Sequence, residues 1–453
     1  MFQSINPYTD TVIFEHTEHT PQEVENLISK THSAYLQWKT SNFQQRGDLF
    51  RKLAALLRKD KETFAMLITS EMGKIIKESR AEIEKCALLC DHYAEHAESM
   101  LKPEVFETDA GKSYLRFDPV GIVYGIMPWN FPFWQAFRAA VPTMMAGNTF
   151  ILKHAPNVIA TAKAIEKLFL VAGFPEHTFT NLIIPVELSE KVIAHPYVEG
   201  ITLTGSQRAG SAVAAQSGKY LKKSVLELGG SDPYIVLKDA EFNESCKTGV
   251  CSRFLNAGQV CISAKRFIVE EEILDQFVAE QKALLESMVL GDPMDEYTDM
   301  GPMARIDLLE NIEDQVNRSV EMGAKILCGG HRRENNSLFY EPTLITHVHK
   351  GMPVFDEETF GPVSVVIPAK NAEAAVRIAN DTPFGLGASL WTQNLVLAEK
   401  LAAKIEAGAV FINGMTKSDP RLPFGGTKRS GYGRELAYLG IREFVNQKTV
   451  WIA

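Results

Sequence analysis

Between residues 120 and 219 short apolar runs alternate with helical stretches: GIVYGIM, a helix over 134–146, TFILK, a helix over 157–172, NLIIP, EGITLT, then a helix from 207. The runs are rich in β-branched residues and too short for helices, whereas the stretches between them carry apolar positions at helical spacing. Such alternation closes through right-handed crossovers into a parallel sheet, and ligands of these sheets sit beyond the carboxyl ends of the strands. This pattern selects an α/β fold and makes the first large domain a nucleotide-binding candidate. A second alternating set begins at YIVLKDA (234–240), runs through a helix over 243–256, KRFIVEE and a helix ending near 289, and reaches GAVFING at 408–414.

A chain of 453 residues exceeds one ordinary core, so two large domains are expected. Residues 21–99 read as a helical opening layer, punctuated by Thr20-Pro21 and Gly73. Residues 99–117 and 434–453 fit neither alternating set and contain strand-like pieces, KSYLRFD and KTVWIA. The expected division is 1–98 with 118–229, 230–433, and an arm from 99–117 with 434–453.

A net charge of −9 gives no footprint for a polyanion, so nucleic acid is not an expected partner, and an anionic substrate would need a local cation. MFQSINPYTD carries no basic region followed by an apolar run, and no later stretch has the length of a membrane span. A cytoplasmic protein without a membrane partner is expected. Cysteines 86, 90, 246, 251, 261 and 328 form neither a metal-like pattern nor a disulfide framework, which favours reduced thiols and no metal. Cys86 and Cys90, spaced for one helix face, read as core.

Two motifs carry chemistry. Val225–Ser231 reads VLELGGS and Asn256–Ser263 reads NAGQVCIS. Asp239 reads as an N-cap region residue and Gly258 as a helix terminator, which puts Cys261 in a loop just past a helix end, facing a cleft. A thiol that attacks a carbonyl forms a thioester, and a base must then bring in water. Cys261 supplies the nucleophile and Glu227 the base. Alone, such a cysteine reads more often as core and such a glutamate as a salt bridge; the two motifs together reverse that weighting.

With PWNFP at 128–132 these motifs resemble the aldehyde dehydrogenase superfamily, and the resemblance runs from INPYT to GRE at 433–435, essentially the whole chain. It implies a Rossmann-type cofactor domain, a second α/β catalytic domain and a small β oligomerisation arm. It further implies a homodimer or homotetramer acting on a small-molecule aldehyde with NAD or NADP. Under it, Asn130 and the backbone N–H of Cys261 hold the oxyanion formed when the thiol attacks. TGSQRAG at 204–210 is the phosphate loop, with Gly205, Ser206 and the helix terminus on the pyrophosphate and with Trp129 and Leu228 flanking the dinucleotide. Lys153 reaches the adenosine ribose. NAD-preferring relatives often place a glutamate three residues on, where this chain has Pro156, so a 2′-phosphate is not repelled and NADP is expected alongside NAD. Glu358 and Phe360 match the nicotinamide-ribose positions.

The KHAPN run, the FWQAFRAAVP helix and the GGSDP turn resemble the bacterial NAD(P)-dependent succinate-semialdehyde dehydrogenases in particular. Arg138 matches the arginine that holds the distal carboxylate there. Many such relatives have a second arginine shortly before the cysteine, where this chain has Leu255; Ser418, Lys417 or Arg421 would then compensate, Ser418 best. Trp134 and Phe133 either wall the tunnel or pack their helix. Glutarate semialdehyde is an alternative substrate. A CoA-acylating relative is disfavoured by Glu227, and a non-catalytic one by the joint presence of Asn130, Glu227 and Cys261.

Overall fold

The structure, a computed structural model, describes residues 1–333 and 338–453. Helices Pro21–Trp38, Phe43–Lys59, Lys61–Met72 and Ile76–Met100 form the opening layer. Thr20 starts the first through a capping box with Glu23, and Gly73 ends the third in the left-handed region at φ +78°. Cys86 and Cys90 are fully buried on the fourth, as their spacing predicts.

The first large sheet orders its strands Gly431–Tyr432, Lys223–Glu227, Val198–Thr204, Ile122–Met127, Thr149–His154 and Phe179–Asn181. All neighbours are parallel except Gly431–Tyr432, which runs against Lys223–Glu227. The winding direction reverses between Ile122–Met127 and Val198–Thr204, the crevice at which doubly wound sheets take ligands. Helix Pro132–Met145 is buried at every residue, pressed between this sheet and helix Ile76–Met100. The expected strand NLIIP is corrected: the ladder ends at Asn181, and the buried residues Leu182–Ile184 leave the sheet as its apolar exit, followed by half-buried Pro185.

The second sheet orders Lys325–Cys328, Thr343–Thr346, Val363–Ala369, Arg266–Glu270, Pro233–Val236, Gly387–Trp391 and Ala409–Ile412, with only the first pair antiparallel. The chain passes from the carboxyl end of Lys223–Glu227 through Leu228–Asp232 into the start of Pro233–Val236. That passage carries the chain from the carboxyl end of a strand in the first sheet to an interior strand of the second. Strand Lys112–Pro119 pairs along its length with Val445–Ile452, and Glu104–Phe106 pairs on its other side, giving a three-stranded arm. Among the described residues no helix is long and apolar enough to cross a membrane.

Candidate active site

Beyond the reversal point, Ile122–Met127 continues into Pro128-Trp129-Asn130 and Val198–Thr204 into Gly205-Ser206. Ser206 caps helix Gln207–Lys219, its hydroxyl accepting from Ala209 N at 3.3 Å. Gly210 allows this helix to seat on Leu228: a Cβ there would lie 2.5 Å from Leu228 Cδ2. A cleft of ≈ 410 Å³ opens here, and its walls include Trp129, Asn130, Gly205, Ser206, Glu227, Leu228, Cys261, Glu358 and Phe360. Trp129 and Phe360 meet edge to face at 6.0 Å. Lys153 lies outside this cleft, in a neighbouring pocket of ≈ 250 Å³ shared with Pro156 and Glu187. Burial lowers the Lys153 pKa, with the Glu187 carboxylate opposing.

Helix Phe242–Phe254 starts at Glu241, whose carboxylate accepts from Glu244 N; Asp239, expected there, instead accepts from Thr392 Oγ1 and Asn394 N. The helix ends at Phe254, so Gly258 does not terminate it. Asn256, Ala257 and Gly258 instead form a turn of three left-handed residues, at φ +52°, +52° and +72°. Only glycine fits the third, because a Cβ would sit 2.2 Å from Gly361 O.

The strained turn is held by its own motif. Asn256 N donates to Glu78 Oε2 at 2.9 Å and Asn256 Nδ2 to Asn130 O at 2.9 Å. Gln259 Nε2 donates to Asn256 O at 3.1 Å, its Oε1 accepts from Ala304 N at 3.0 Å, and its carbonyl accepts from Asn130 Nδ2 at 3.0 Å. Lys265 Nζ then donates to Val260 O at 2.9 Å and to Cys261 O at 2.6 Å, fixing the loop that carries the thiol. Lys265→Met is expected to lower kcat/KM for aldehyde by roughly tenfold, the scale of a lost charged hydrogen bond that positions a reacting atom. NAD(P)H formation by the folded variant measures it; an unchanged rate would show the loop held without this ammonium.

Burial pushes the Cys261 thiol up to about 11, against a pull from the Arg138 and Lys265 cations. Burial thus favours the neutral thiol over the thiolate. Burial raises the Glu227 carboxyl well above its ordinary range, and Glu435 raises it further, while Arg138 and Arg434 oppose. Neither Glu227 oxygen has a hydrogen-bond partner among the described residues. Room for the carboxylate exists because Gly425 lacks a side chain; a Cβ would come within 2.8 Å of Glu227 Oε1. Glu358 accepts from Gly230 N at 3.1 Å and stands 3.7 Å from Lys265 Nζ, which ties the Gly-Gly passage to the thiol loop.

On the other face of Cys261 lies a smaller cavity of ≈ 170 Å³, bordered by Trp134, Arg138, Leu255, Ser418, Phe424 and Lys85. Helix Pro132–Met145, which brings Trp134 and Arg138, begins on Glu82: the carboxylate accepts from Phe133 N and Trp134 N, each at 2.9 Å. Arg138 ion-pairs with buried Glu435, donates to Thr204 Oγ1 at 3.2 Å and stacks 4.7 Å over Phe424. Ser418 accepts from Lys85 Nζ at 2.7 Å. Phe133 packs the core against Phe64 and Phe137, away from the cavity, so of the two aromatics only Trp134 walls it. Lys417 borders the cavity but is exposed, and Arg421 is exposed and bound by Asp419. Sequence reasoning passed over Lys85, Lys265 and Arg305, the last 5.9 Å over the Trp129 ring. The AKRF run following the thiol motif was the one available signal for Lys265; EIEKCALL offered none for Lys85.

The sequence profile of the aldehyde dehydrogenase family matches residues 1–450. A probable succinate-semialdehyde dehydrogenase [NADP(+)] of Synechocystis sp. is 46% identical over 450 residues, covering 99% of either chain. A succinate semialdehyde dehydrogenase [NAD(P)+] of Escherichia coli K12 is 43% identical over 448 residues, 99% of this chain and 97% of the relative. The crystal structure of a succinic semialdehyde dehydrogenase from Streptococcus pyogenes in complex with NADP+ superposes with a TM-score of 0.98 at 37% identity, covering 100% of both chains.

Proposed function

The chain belongs to the aldehyde dehydrogenase family, and on that premise we propose that it oxidises succinate semialdehyde to succinate with NAD or NADP as hydride acceptor. The observation that carries this reading is the position of Cys261 between a large cleft and a small cavity that holds cationic groups. A cavity of ≈ 170 Å³ lies below the roughly 300–1,000 Å³ of pockets for drug-sized ligands, which suits a short aldehyde. The cleft fits a dinucleotide: a capped helix terminus would offer its free N–H groups to a phosphate, Leu228 and Phe360 offer apolar walls, and the crevice lies at the winding reversal. Gly205, Ser206, Leu228, Glu358 and Phe360 would hold the cofactor there, and it would supply the hydride acceptor.

The remaining steps belong to the chain. Cys261 gives up its proton to water in the cleft, its Sγ bonds to the aldehyde carbon as the carbonyl π pair moves onto oxygen, and Asn130 Nδ2 with the Cys261 N–H stabilises that negative oxygen. Loss of hydride leaves a thioester on Cys261. Glu227 takes a proton from water, the water oxygen bonds to the acyl carbon, and sulfur leaves with the acid released. All six cysteines are free thiols, in keeping with a reducing cytoplasmic setting. The arm presents Val105, Phe106 and Trp451 with 72%, 52% and 55% exposure, a surface suited to a second copy in a homodimer or homotetramer.

The test compares succinate semialdehyde with butanal, an uncharged aldehyde of equal length, using NAD and NADP in turn. Preference for the carboxylate substrate by at least about tenfold in kcat/KM is expected, the minimum for one charged contact, with both cofactors reduced. Equal turnover of butanal would move the substrate assignment elsewhere in the family.

A further inference from the structure

We propose that Lys85 is the cation that recognises the substrate's distal carboxylate, with Ser418 completing the hydrogen bonding. This rests on the assignment of a carboxylate-bearing aldehyde above. Lys85 lies on helix Ile76–Met100, in a stretch that otherwise reads as a core face and a solvent face, and its stem carries the ammonium into the cavity beside Cys261. There Nζ lies 4.0 Å from the centre of the Trp134 ring and donates to Ser418 Oγ at 2.7 Å. An aromatic face and one hydroxyl leave a cation largely uncompensated. No carboxylate among the described residues pairs with it: Glu82, on the same helix, is taken by Lys74 and by the N–H groups of Phe133 and Trp134.

The other cations at this cavity are differently placed. Arg138 is neutralised by Glu435 and anchored on Thr204 and Phe424, so its charge is balanced before a substrate arrives. Lys417 is exposed and keeps its hydration. Lys85 alone of the three is drawn in from solvent with no carboxylate in direct contact among the described residues, Glu82 acting on it only at a distance. Burial, reinforced by the Arg138 charge, draws its ammonium down to about 8. A carboxylate entering the cavity reverses that cost, which makes the contact selective for anionic aldehydes over neutral ones of the same length. Leu255, which borders the same cavity, adds an apolar wall and no charge.

Lys85→Met keeps the stem on Trp134 and removes the charge. Its KM for succinate semialdehyde is expected to rise by roughly 30-fold or more, the ratio for one lost partner of a desolvated charge pair. Values for butanal should change by less than about threefold, since no charge pair is lost there. Succinate, tested as a competitive inhibitor, should weaken in parallel. Lys85→Arg should retain a carboxylate preference, and Ser418→Ala should raise the semialdehyde KM by about 3- to 10-fold, one hydrogen bond's worth. If wild type prefers the carboxylate substrate and Lys85→Met keeps that preference, or loses activity equally on both aldehydes, Lys85 is not the anchor and the functional reading stands. If wild type shows no preference, both fall together.

Discussion

Glu227→Gln is expected to leave a rapid stoichiometric burst of NAD(P)H and to slow the steady state behind it by roughly 100- to 10,000-fold, the contribution of a positioned general base. The chemistry separates the two phases. Cys261 and Glu227 border one cleft, the carboxylate in the space beside Gly425 and in the field of Arg138 and Glu435. Attack and hydride loss consume no water, so only the hydrolysis of the thioester draws on the base. Rapid-mixing absorbance gives both phases, and mass spectrometry after acid quench should find the acyl group on Cys261. A variant with an unchanged steady state would remove Glu227 from the mechanism; one with no burst would place it before hydride transfer. The pH dependence has a definite sign. Glu227 works as the carboxylate, and burial with Glu435 raises its pKa, so hydrolysis falls as pH drops through a range well above that of an ordinary carboxyl. Glutamine does not titrate, and the residual steady state should lose that acidic limb.

Much of this was legible in the sequence because the signals are local. The alternation after residue 120 predicts the parallel sheet, and TGSQRAG, which lacks a GxGxxG pattern, still falls after a strand at a helix cap, as expected. NAGQVC predicts a thiol in a loop. Its other letters become intelligible only in three dimensions, where Asn256 and Gln259 clamp the turn on Asn130, Glu78 and Ala304. What stayed hidden depends on partners distant in sequence. Asp239 reads as a helix cap until Thr392 and Asn394 claim it, and Gly258 reads as a helix end until Gly361 is seen to exclude its Cβ. Arg138 illustrates the limit most clearly. Its place after PWNFP marks it as a cavity residue, which it is, but Glu435 approaches from the far end of the chain and balances its charge. Lys85 is the converse, a lysine on a long helix whose significance lies in having no such partner.

Asn130→Ala should lower kcat by roughly 100- to 1,000-fold with little change in KM, the cost of one preorganised oxyanion donor. Asn130 is buried, and one hydrogen of its amide is spent on Gln259 O at 3.0 Å, which fixes the plane of the group and leaves the second hydrogen to the cleft. The backbone N–H of Cys261, with no acceptor among the described residues, supplies the other donor. Neither donor titrates, so the loss should be independent of pH. Alanine also frees Gln259 O, and part of its effect could come from a displaced loop; Asn130→Asp separates the causes. The aspartate preserves size but sets a carboxylate against the developing oxyanion, so it should be at least as slow as alanine if stabilisation of charge is the role. Recovery of activity in the aspartate would assign Asn130 to packing alone. The burst decides the order of events: it should slow in Asn130→Ala and persist in Glu227→Gln, because the oxyanion forms before hydride leaves and the base acts only afterwards.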